Sequence, residues 1–525
     1  MRIIIVGGGF AGIKCAQTLC KTLTKDKFEI VLFNQENHMV FQPLLAEVVG
    51  ASINPNAIAV PIRNILSWVK CRTEEVKAIK LDESCVEYLA YDGRIRSMPY
   101  DHVVIACGSV VNLAIIPGMA DHAFPLRTVG DAIKLRYHIV EQLEKAEVCD
   151  DTKRKCWYLS FIVIGGGFSG VEVAGEINDL VHGVHKYFPN INVDDIKVSI
   201  IHSRDHLLPE MSTKLREIAL SKMRNRGLNI VLNSRVNTIS PEGIRLKDGN
   251  FIGGGTIVCT IGNSMSPVVQ KMNVHKQWGR LLTEKDMRIS GYKNAWSIGD
   301  CAYIVNNYNN EPSPATGQFA ERQGKQVAEN IVRYVNGKDT RPFSFKPLGQ
   351  LCSIGGHNAI AEMFGLHISG FLVWILWRNI YLFKLGSWSK RIKVAFDWTW
   401  DLFFPRDLAH PKTDLTDRVS KAHYNQGDYI FRQGDPGIYF YIIERGKVEV
   451  IRETETSGQK ETIGVLGKGD FFGEMALIND NPRTSSIIAS TDVECVVMGR
   501  KVFMEISNTL TPFYNLLVDT IKNRT

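Results

Sequence analysis

Residues 3–12 read IIIVGGGFAG, and this stretch decides the fold. Ile3–Val6 is an unbroken aliphatic run, the pattern of a strand buried on both faces of a parallel sheet. Gly7, Gly9 and Gly12 then give G-x-G-x-x-G, and the following IKCAQTLCKTL has a helical pattern. Strand, glycine turn and helix in that order leave backbone N–H groups free at a helix N-terminus, where a pyrophosphate can sit. A second copy, FIVIGGGFSGVEVAGEI, starts with a strand at Phe161–Ile164 and continues through Gly165, Gly167 and Gly170 into a helix. One such fingerprint is a weak signal. Two, each between a strand and a helix, predict an α/β chain with two dinucleotide-binding domains.

The rest of the composition sets bounds. A chain of 525 residues exceeds one hydrophobic core, so two to four domains are expected. Hydrophobic residues make up 45% and charged residues 22%, ordinary for a globular protein. A net charge of +7 is mild and calls for no nucleic-acid partner. The 11 cysteines include no CxxC pair, which reads as reduced thiols, and no metal site is expected. No charged segment precedes the first strand, so a signal peptide is not expected. No uninterrupted apolar run reaches about 18 residues, so neither is an ordinary spanning helix.

Two further stretches point to a flavin. VVIACGS (Val103–Ser109) reads as a strand ending in a turn at Gly108, and NAWSIGDCA (Asn294–Ala302) as a strand ending at Gly299-Asp300. With CTIGN (Cys259–Asn263, containing Gly262), the order is fingerprint, A-x-G, fingerprint, T-x-G, G-D. This succession resembles the FAD-dependent pyridine-nucleotide reductases, in which an NAD(P) domain is inserted into a Rossmann-like FAD domain. The resemblance implies FAD binding by residues 1–118 and 265–345 and NAD(P) binding by residues 119–264. It places Gly7, Gly9, Gly12, Asn34, Gly108, Gly299 and Asp300 at FAD, and Gly165, Gly167, Gly170, Glu172, His202, Arg204 and Gly262 at NAD(P). Disulfide reductases of this class need a redox cysteine pair. Cys15 and Cys20 are about 500° apart around a helix and read as core thiols. Cys156 and Cys352 are spread widely enough to suggest sulfide:quinone reductases, but Cys156 directly precedes the second fingerprint strand. Incidental cysteines are the favoured reading.

NHMVFQPLLAEVV, GVEVAGEI, SPATGQFAERQGKQVAENI and GFLVWILWRNIYLFKLGSWSKRIKVAFDWTWDLFFPRD together resemble the type II NADH dehydrogenases over about residues 1–408. That family passes electrons from NADH through FAD to a membrane quinone. The resemblance implies that Glu172 lies near the nicotinamide and flavin and that Gln318 lies near the flavin and quinone, with Arg322 beside it. The plainer alternatives are a first-turn acid favoured by the helix dipole for Glu172, and pairing with Glu321 or Glu329 for Arg322. The pairing is the favoured reading for Arg322. Two positions depart from the family pattern. Asn34, with Glu36 nearby, stands where a ribose-binding acid is expected. His202, followed by Ser203 and Arg204, stands where NADH-selective relatives carry Glu, which leaves NADH and NADPH both open.

From Gly370 to Trp400, apolar residues come with Trp374, Trp377, Trp388, Trp398 and Trp400 and are punctuated by Arg378, Lys384, Lys390, Arg391 and Lys393. This predicts helical, monotopic attachment of residues 346–408 to a bilayer surface, against a buried helical hairpin at a dimer interface as the alternative. Residues 409–525 form a further domain. Short alternating strands with Gly427, Gly434, Gly437 and Gly446 at turns predict an antiparallel β-roll or barrel. FGEMALINDNPRTSS (Phe471–Ser485) resembles the phosphate-binding cassette of the cyclic nucleotide-binding domain. The resemblance implies Glu474 on the ribose 2′-hydroxyl and Arg483 on the cyclic phosphate. Backbone N–H groups around Gly473, Glu474, Met475 and Ala476 complete the cradle. Thr484 is a weak pointer to cGMP, with cAMP the default. The chain then ends in one amphipathic helix, with no helix-turn-helix to read DNA.

The sequence thus predicts an FAD-dependent NAD(P)H:quinone oxidoreductase at the cytoplasmic face of the cell membrane, regulated by cAMP or cGMP, with a homodimer carried by analogy. The alternatives are a cyclic-nucleotide sensor or scaffold with a vestigial flavin domain, and a soluble NAD(P)H reductase of another acceptor.

Overall fold

In the computed structural model the described residues are 1–409, 419–435, 439–453, 460–478, 482–509 and 515. Contacts divide the chain into two compact units, residues 1–89 with 96–410, and residues 90–95 with 411–525.

The larger unit contains two five-stranded sheets of the same plan. In the first, the strands run in the order Ala295–Ser297, His102–Ile105, Arg2–Val6, Glu29–Phe33, Lys70–Arg72, all parallel. In the second the order is Phe124–Pro125, Thr256–Cys259, Ser160–Ile164, Lys197–Ile201, Asn229–Val231, again all parallel. Each fingerprint strand is central, and its glycine turn leaves the carboxyl edge of the sheet, where α/β proteins bind ligands. Ile3, Ile4 and Ile5 are fully buried, as are Phe161 and Val163. Burial on both faces is why these strands read as continuous aliphatic runs.

Helix Gly317–Val335 lies against helix Phe10–Thr22 of the first fingerprint. Gly324 permits the approach: a Cβ there would sit 2.2 Å from the Ala11 carbonyl oxygen. The unit closes with an antiparallel sheet of Gly349–Gly355, Asn358–Met363 and Leu366–Gly370, then helices Phe371–Lys384 and Trp388–Phe403.

This helix pair differs from the sequence reading. Trp374, Trp377 and Trp398 are buried in the large core, and only Trp388 and Trp400 are exposed. Arg378 is buried as well, with its guanidinium 3.8 Å from the Trp374 ring centroid and 4.9 Å from that of Trp398. It is therefore no headgroup cation. Trp374, Trp377 and Tyr381 share one face at helical spacing, and that face packs inward. Among the described residues no helix is long and apolar enough to cross a membrane.

The smaller unit pairs two four-stranded antiparallel sheets. One holds Val419–Tyr424, Val493–Gly499, Tyr439–Arg445 and Phe471–Phe472; the other holds Tyr429–Phe431, Ser486–Ala489, Val448–Glu453 and Lys460–Leu466. This is the β-roll expected from the short strands. Gly427, Gly434 and Gly446 take φ values of 90°, 88° and 92°, as turn glycines do. Gly437 lies outside the described residues, as does the final helix beyond Thr509 apart from residue 515.

Candidate dinucleotide and nucleotide sites

The first glycine turn is closed by contact. A Cβ on Gly12 would lie 1.9 Å from the Gly7 carbonyl oxygen, and one on Gly7 2.1 Å from that of Ala106. Gly9 starts helix Phe10–Thr22 with no side-chain cap, and nothing lies within 4 Å of its missing Cβ. The first-turn N–H groups therefore face open space, a donor set that fits a pyrophosphate.

Neighbouring parallel strands bring Gly7, Gly108 and Gly299-Asp300 to the same sheet edge. Asp300 Oδ2 accepts from the Ser109 hydroxyl at 3.0 Å. Arg127 donates to the Ser109 carbonyl at 2.9 Å and lies 4.0 Å from Asp300 Oδ2. The Gly299 N–H donates to Gln323 Oε1 at 2.9 Å. These contacts fix the turn on which Asp300 stands. Asn34, expected at a ribose, is turned inward. Its Oδ1 accepts from the Gly8 N–H at 2.8 Å, and its Nδ2 donates to the Glu36 carbonyl at 2.7 Å. Glu36 itself is exposed.

The second turn repeats the plan. A Cβ on Gly170 would lie 2.0 Å from the Gly165 carbonyl oxygen, and Gly167 starts helix Phe168–Val184 uncapped with free space around it. His202 takes the place of Asn34: its Nδ1 accepts from the Gly166 N–H at 3.0 Å. That bond puts the ring proton on Nε2, which has no partner among the described residues. Burial holds the His202 pKa below its usual value, and Arg204 and His206 add to the effect. The ring is thus neutral. Arg204 is exposed. Gly262, at φ 88°, accepts from the Asn112 N–H.

Glu172 is the fifth residue of its helix, past the first turn, so the dipole reading of this acid fails on position. Its carboxyl is raised to about 8, first by burial and then by Glu47 and Glu176, against a 3.4 Å hydrogen bond from the Ser353 N–H. It therefore carries a proton at neutral pH. Cys352 is buried close by, its thiol pushed up by burial and by Glu172. Cys156 has other surroundings, 4.0 Å from Asp195. Gln318 is bound to backbone, donating to the Gly349 carbonyl at 3.2 Å and accepting from the Leu348 N–H at 3.4 Å. Arg322 pairs with neither expected acid. Its guanidinium lies 5.4 Å from the Phe345 ring centroid, while Glu321 faces Lys384 and Glu329 faces Lys325.

Behind Glu172 lies a buried charge cluster that sequence reading missed. Trp398 Nε1 donates to Glu47 Oε2 at 2.6 Å, and Arg378 lies 3.7 Å from both Glu47 and Asp401. Arg406 bridges Glu176 at 3.0 Å and Asp401 at 3.3 Å. Glu47 and Glu176 lie hundreds of residues from the arginines that face them, so no local pattern shows it. Arg127 was missed because Asp300 lies far from it along the chain. Gln323 did leave a signal: it is a polar residue on the apolar face formed by Phe319, Ala320 and Val327.

In the smaller unit, Glu474 and Arg483 are both buried. Arg483 donates to the Gly473 carbonyl at 2.8 Å and the Tyr439 carbonyl at 2.7 Å, and its guanidinium stacks 4.0 Å from the Phe431 ring centroid. Its Nε is buried without a partner among the described residues. An arginine held beside the Gly473–Ala476 turn, with a donor unused, fits an anion. Met475 is half-buried and Thr484 is exposed.

Comparison with known proteins finds families along most of the chain. The family Pyridine nucleotide-disulphide oxidoreductase matches residues 1–324, the NDH2 C-terminal domain residues 348–407, and the Cyclic nucleotide-binding domain residues 421–509. A probable NADH dehydrogenase of Dictyostelium discoideum is 30% identical over 417 residues, covering 78% of this chain and 91% of that protein. A type II NADH:quinone oxidoreductase of Staphylococcus aureus is 28% identical over 372 residues, covering 70% of this chain and 91% of that protein. The NDH2 of Plasmodium falciparum, solved in complex with NADH, superposes with a TM-score of 0.73 at 19% identity, covering 78% of this chain and 99% of that one. The chain belongs to the pyridine nucleotide-disulphide oxidoreductase family, as an enzyme of the type II NADH dehydrogenase kind that carries a C-terminal cyclic nucleotide-binding domain.

Proposed function

We propose that this enzyme oxidises a reduced nicotinamide dinucleotide, reduces a quinone at a bilayer surface, and is modulated by a cyclic nucleotide on its C-terminal unit. The observation that carries the reading is the pair of uncapped, open helix N-termini at Gly9 and Gly167, one on each parallel sheet. FAD, bound at Gly7, Gly9, Gly12, Gly108, Gly299 and Asp300, supplies the two-electron relay between nicotinamide and acceptor. Arg127, Ser109 and Gln323 orient Asp300 for it. Gly165, Gly167 and Gly170 receive the pyrophosphate of the nicotinamide dinucleotide, and Gly262 lines the same sheet edge. Quinone reduction consumes protons. Glu172, neutral below about pH 8, holds one on its carboxyl and is the donor we assign. Gln318 and Arg322, on the helix that packs against the first fingerprint, border the acceptor.

Attachment falls to the outward face of residues 346–408. Phe364, Leu372, Phe383, Trp388, Phe396 and Phe403 are exposed there, next to exposed Lys384 and Lys393. Large apolar side chains edged by cations suit the headgroup boundary, and the cytoplasmic face supplies the dinucleotide. In the C-terminal unit Arg483 takes the cyclic phosphate and Glu474 the ribose, with cAMP the default ligand.

The test is oxidation of NADH and NADPH by the purified full chain in lipid vesicles with a soluble quinone, titrated with cAMP and cGMP. A saturable change in rate, abolished in Arg483→Ala, supports both halves of the proposal. Absence of quinone-dependent turnover with either donor sinks the first half. A rate indifferent to both nucleotides, with no calorimetric binding, sinks the second.

A further inference from the structure

The end of strand Lys197–Ile201 decides which nicotinamide dinucleotide the second site takes. In this fold the residue there faces the adenosine ribose, and a carboxylate accepts from its 2′- and 3′-hydroxyls. Here the position holds His202, a neutral ring whose Nδ1 is committed to the Gly166 N–H. A Cβ on Gly166 would lie 2.7 Å from His202 Cγ, so the imidazole is packed against the turn. Position 202 itself carries no carboxylate to repel a 2′-phosphate.

Two residues on stands a cation, Arg204. Ser203 and Arg204 are exposed. Among the described residues Arg204 makes no ion pair, and its only recorded bond is through its carbonyl, which accepts from the Asn233 N–H at 2.9 Å. Asp205, the nearest acid in sequence, is occupied by His206. The Asn233 contact holds the loop after strand Asn229–Val231 beside this one, and that loop carries a second exposed arginine, Arg235, also without an ion pair among the described residues. A guanidinium with free donors beside the ribose position is the arrangement that takes a phosphate monoester by paired, charge-assisted hydrogen bonds.

We propose that Arg204, beside the uncharged His202, makes the second site selective for a dinucleotide carrying a 2′-phosphate, so that NADPH is the preferred donor. This rests on the reading of the second fingerprint as the nicotinamide site. Selectivity then has two sources: attraction by Arg204, and removal of the repulsion that an acid at position 202 exerts.

The full-length flavoprotein is tested in two ways. Calorimetry compares adenosine 2′,5′-bisphosphate with 5′-AMP, and anaerobic bleaching of the flavin compares NADPH with NADH, without any quinone. The bisphosphate is expected to bind at least tenfold more tightly than 5′-AMP, and NADPH to exceed NADH in the second-order rate constant of flavin bleaching by at least fivefold. Arg204→Ala is expected to lower the NADPH-to-NADH ratio about tenfold, and His202→Glu to lower it further. Equal binding of the two adenosine ligands, a preference for NADH, or a ratio unmoved within twofold by Arg204→Ala overturns the proposal. Tight bisphosphate binding without flavin bleaching by either donor keeps the selectivity and removes the dehydrogenase reading instead.

Discussion

In the first fingerprint loop the Gly8 N–H is held by the amide oxygen of Asn34 at 2.8 Å; in the second the Gly166 N–H is held by the imidazole nitrogen of His202 at 3.0 Å. Both acceptors stand at the end of the strand that pairs with the fingerprint strand, and both answer a backbone donor that would otherwise be left unpaired. The surroundings differ. The first site is completed by residues from far along the chain: Ser109, Arg127, Asp300 and Gln323. The second ends in an exposed loop, Ser203–Asp205. A group that stays bound through turnover gains from a cradle tied down on several strands. A substrate that must leave each cycle is served by an open rim.

The largest effects separate the two sites by volume. Gly12→Val and Gly170→Val each drive a side chain into a carbonyl about 2 Å away. The first is expected to yield protein without flavin absorbance. The second should keep the flavin and lose about 100-fold or more in response to nucleotide, equivalent to roughly 3 kcal/mol. Equal loss of flavin in both variants would break the assignment of the sites. Next comes Arg127→Leu, which removes charge-assisted support from Ser109 and Asp300. Flavin should dissociate about tenfold faster on dialysis, in line with roughly 1.5–3 kcal/mol for a charged hydrogen bond, while 5′-AMP binding holds.

His202→Ala leaves the Gly166 N–H unpaired and is expected to weaken nucleotide binding about tenfold, the cost of an orphaned donor being roughly 1–3 kcal/mol. His202→Asn copies the first loop and should restore binding to within about threefold, since a neutral hydrogen bond is worth only about 1 kcal/mol. An asparagine variant as weak as the alanine one would show that the two locks are not equivalent. The smallest effect is with pH. The His202 pKa in the folded protein lies below the usual histidine value of about 6.5. Its contribution to stability is therefore complete above pH 6.5 and drains as pH falls through the lower folded value, when Nδ1 gains a proton and the Gly166 bond breaks. The melting temperature of the wild type should drop over that window more steeply than that of His202→Asn. Parallel profiles would assign the acid limb to other groups.

Much of this plan was legible from residues alone. IIIVGGGFAG and FIVIGGGFSG announced both turns because a glycine that touches a carbonyl leaves no alternative residue. Gly299-Asp300 was legible for its place after a buried strand. FGEMAL with Arg483 pointed to the cyclic nucleotide-binding domain because its parts are close in sequence. What could not be read was whatever depends on contacts between distant segments. The fate of Trp374 against that of Trp400 is set by which helix face meets the core, and alternating aromatics and cations fit a headgroup boundary and a buried packing face equally well. Arg322 beside Phe345, and Arg378 among Glu47 and Asp401, are products of the same long-range packing.

The cluster of Glu47, Glu176, Arg378, Asp401 and Arg406 sets an order of events at the ribosome. Glu47 and Glu176 emerge hundreds of residues before the arginines that face them. Breaking a buried pair costs about 3–5 kcal/mol, so we expect the packing around Glu47 and Glu176 to be completed only once Arg378 and Arg406 are available. The helix pair is thus the clasp that completes the flavoprotein and not a detachable anchor. A chain cut before Trp388 would lack Asp401 and Arg406 and leave the buried Glu176 without the cation that faces it.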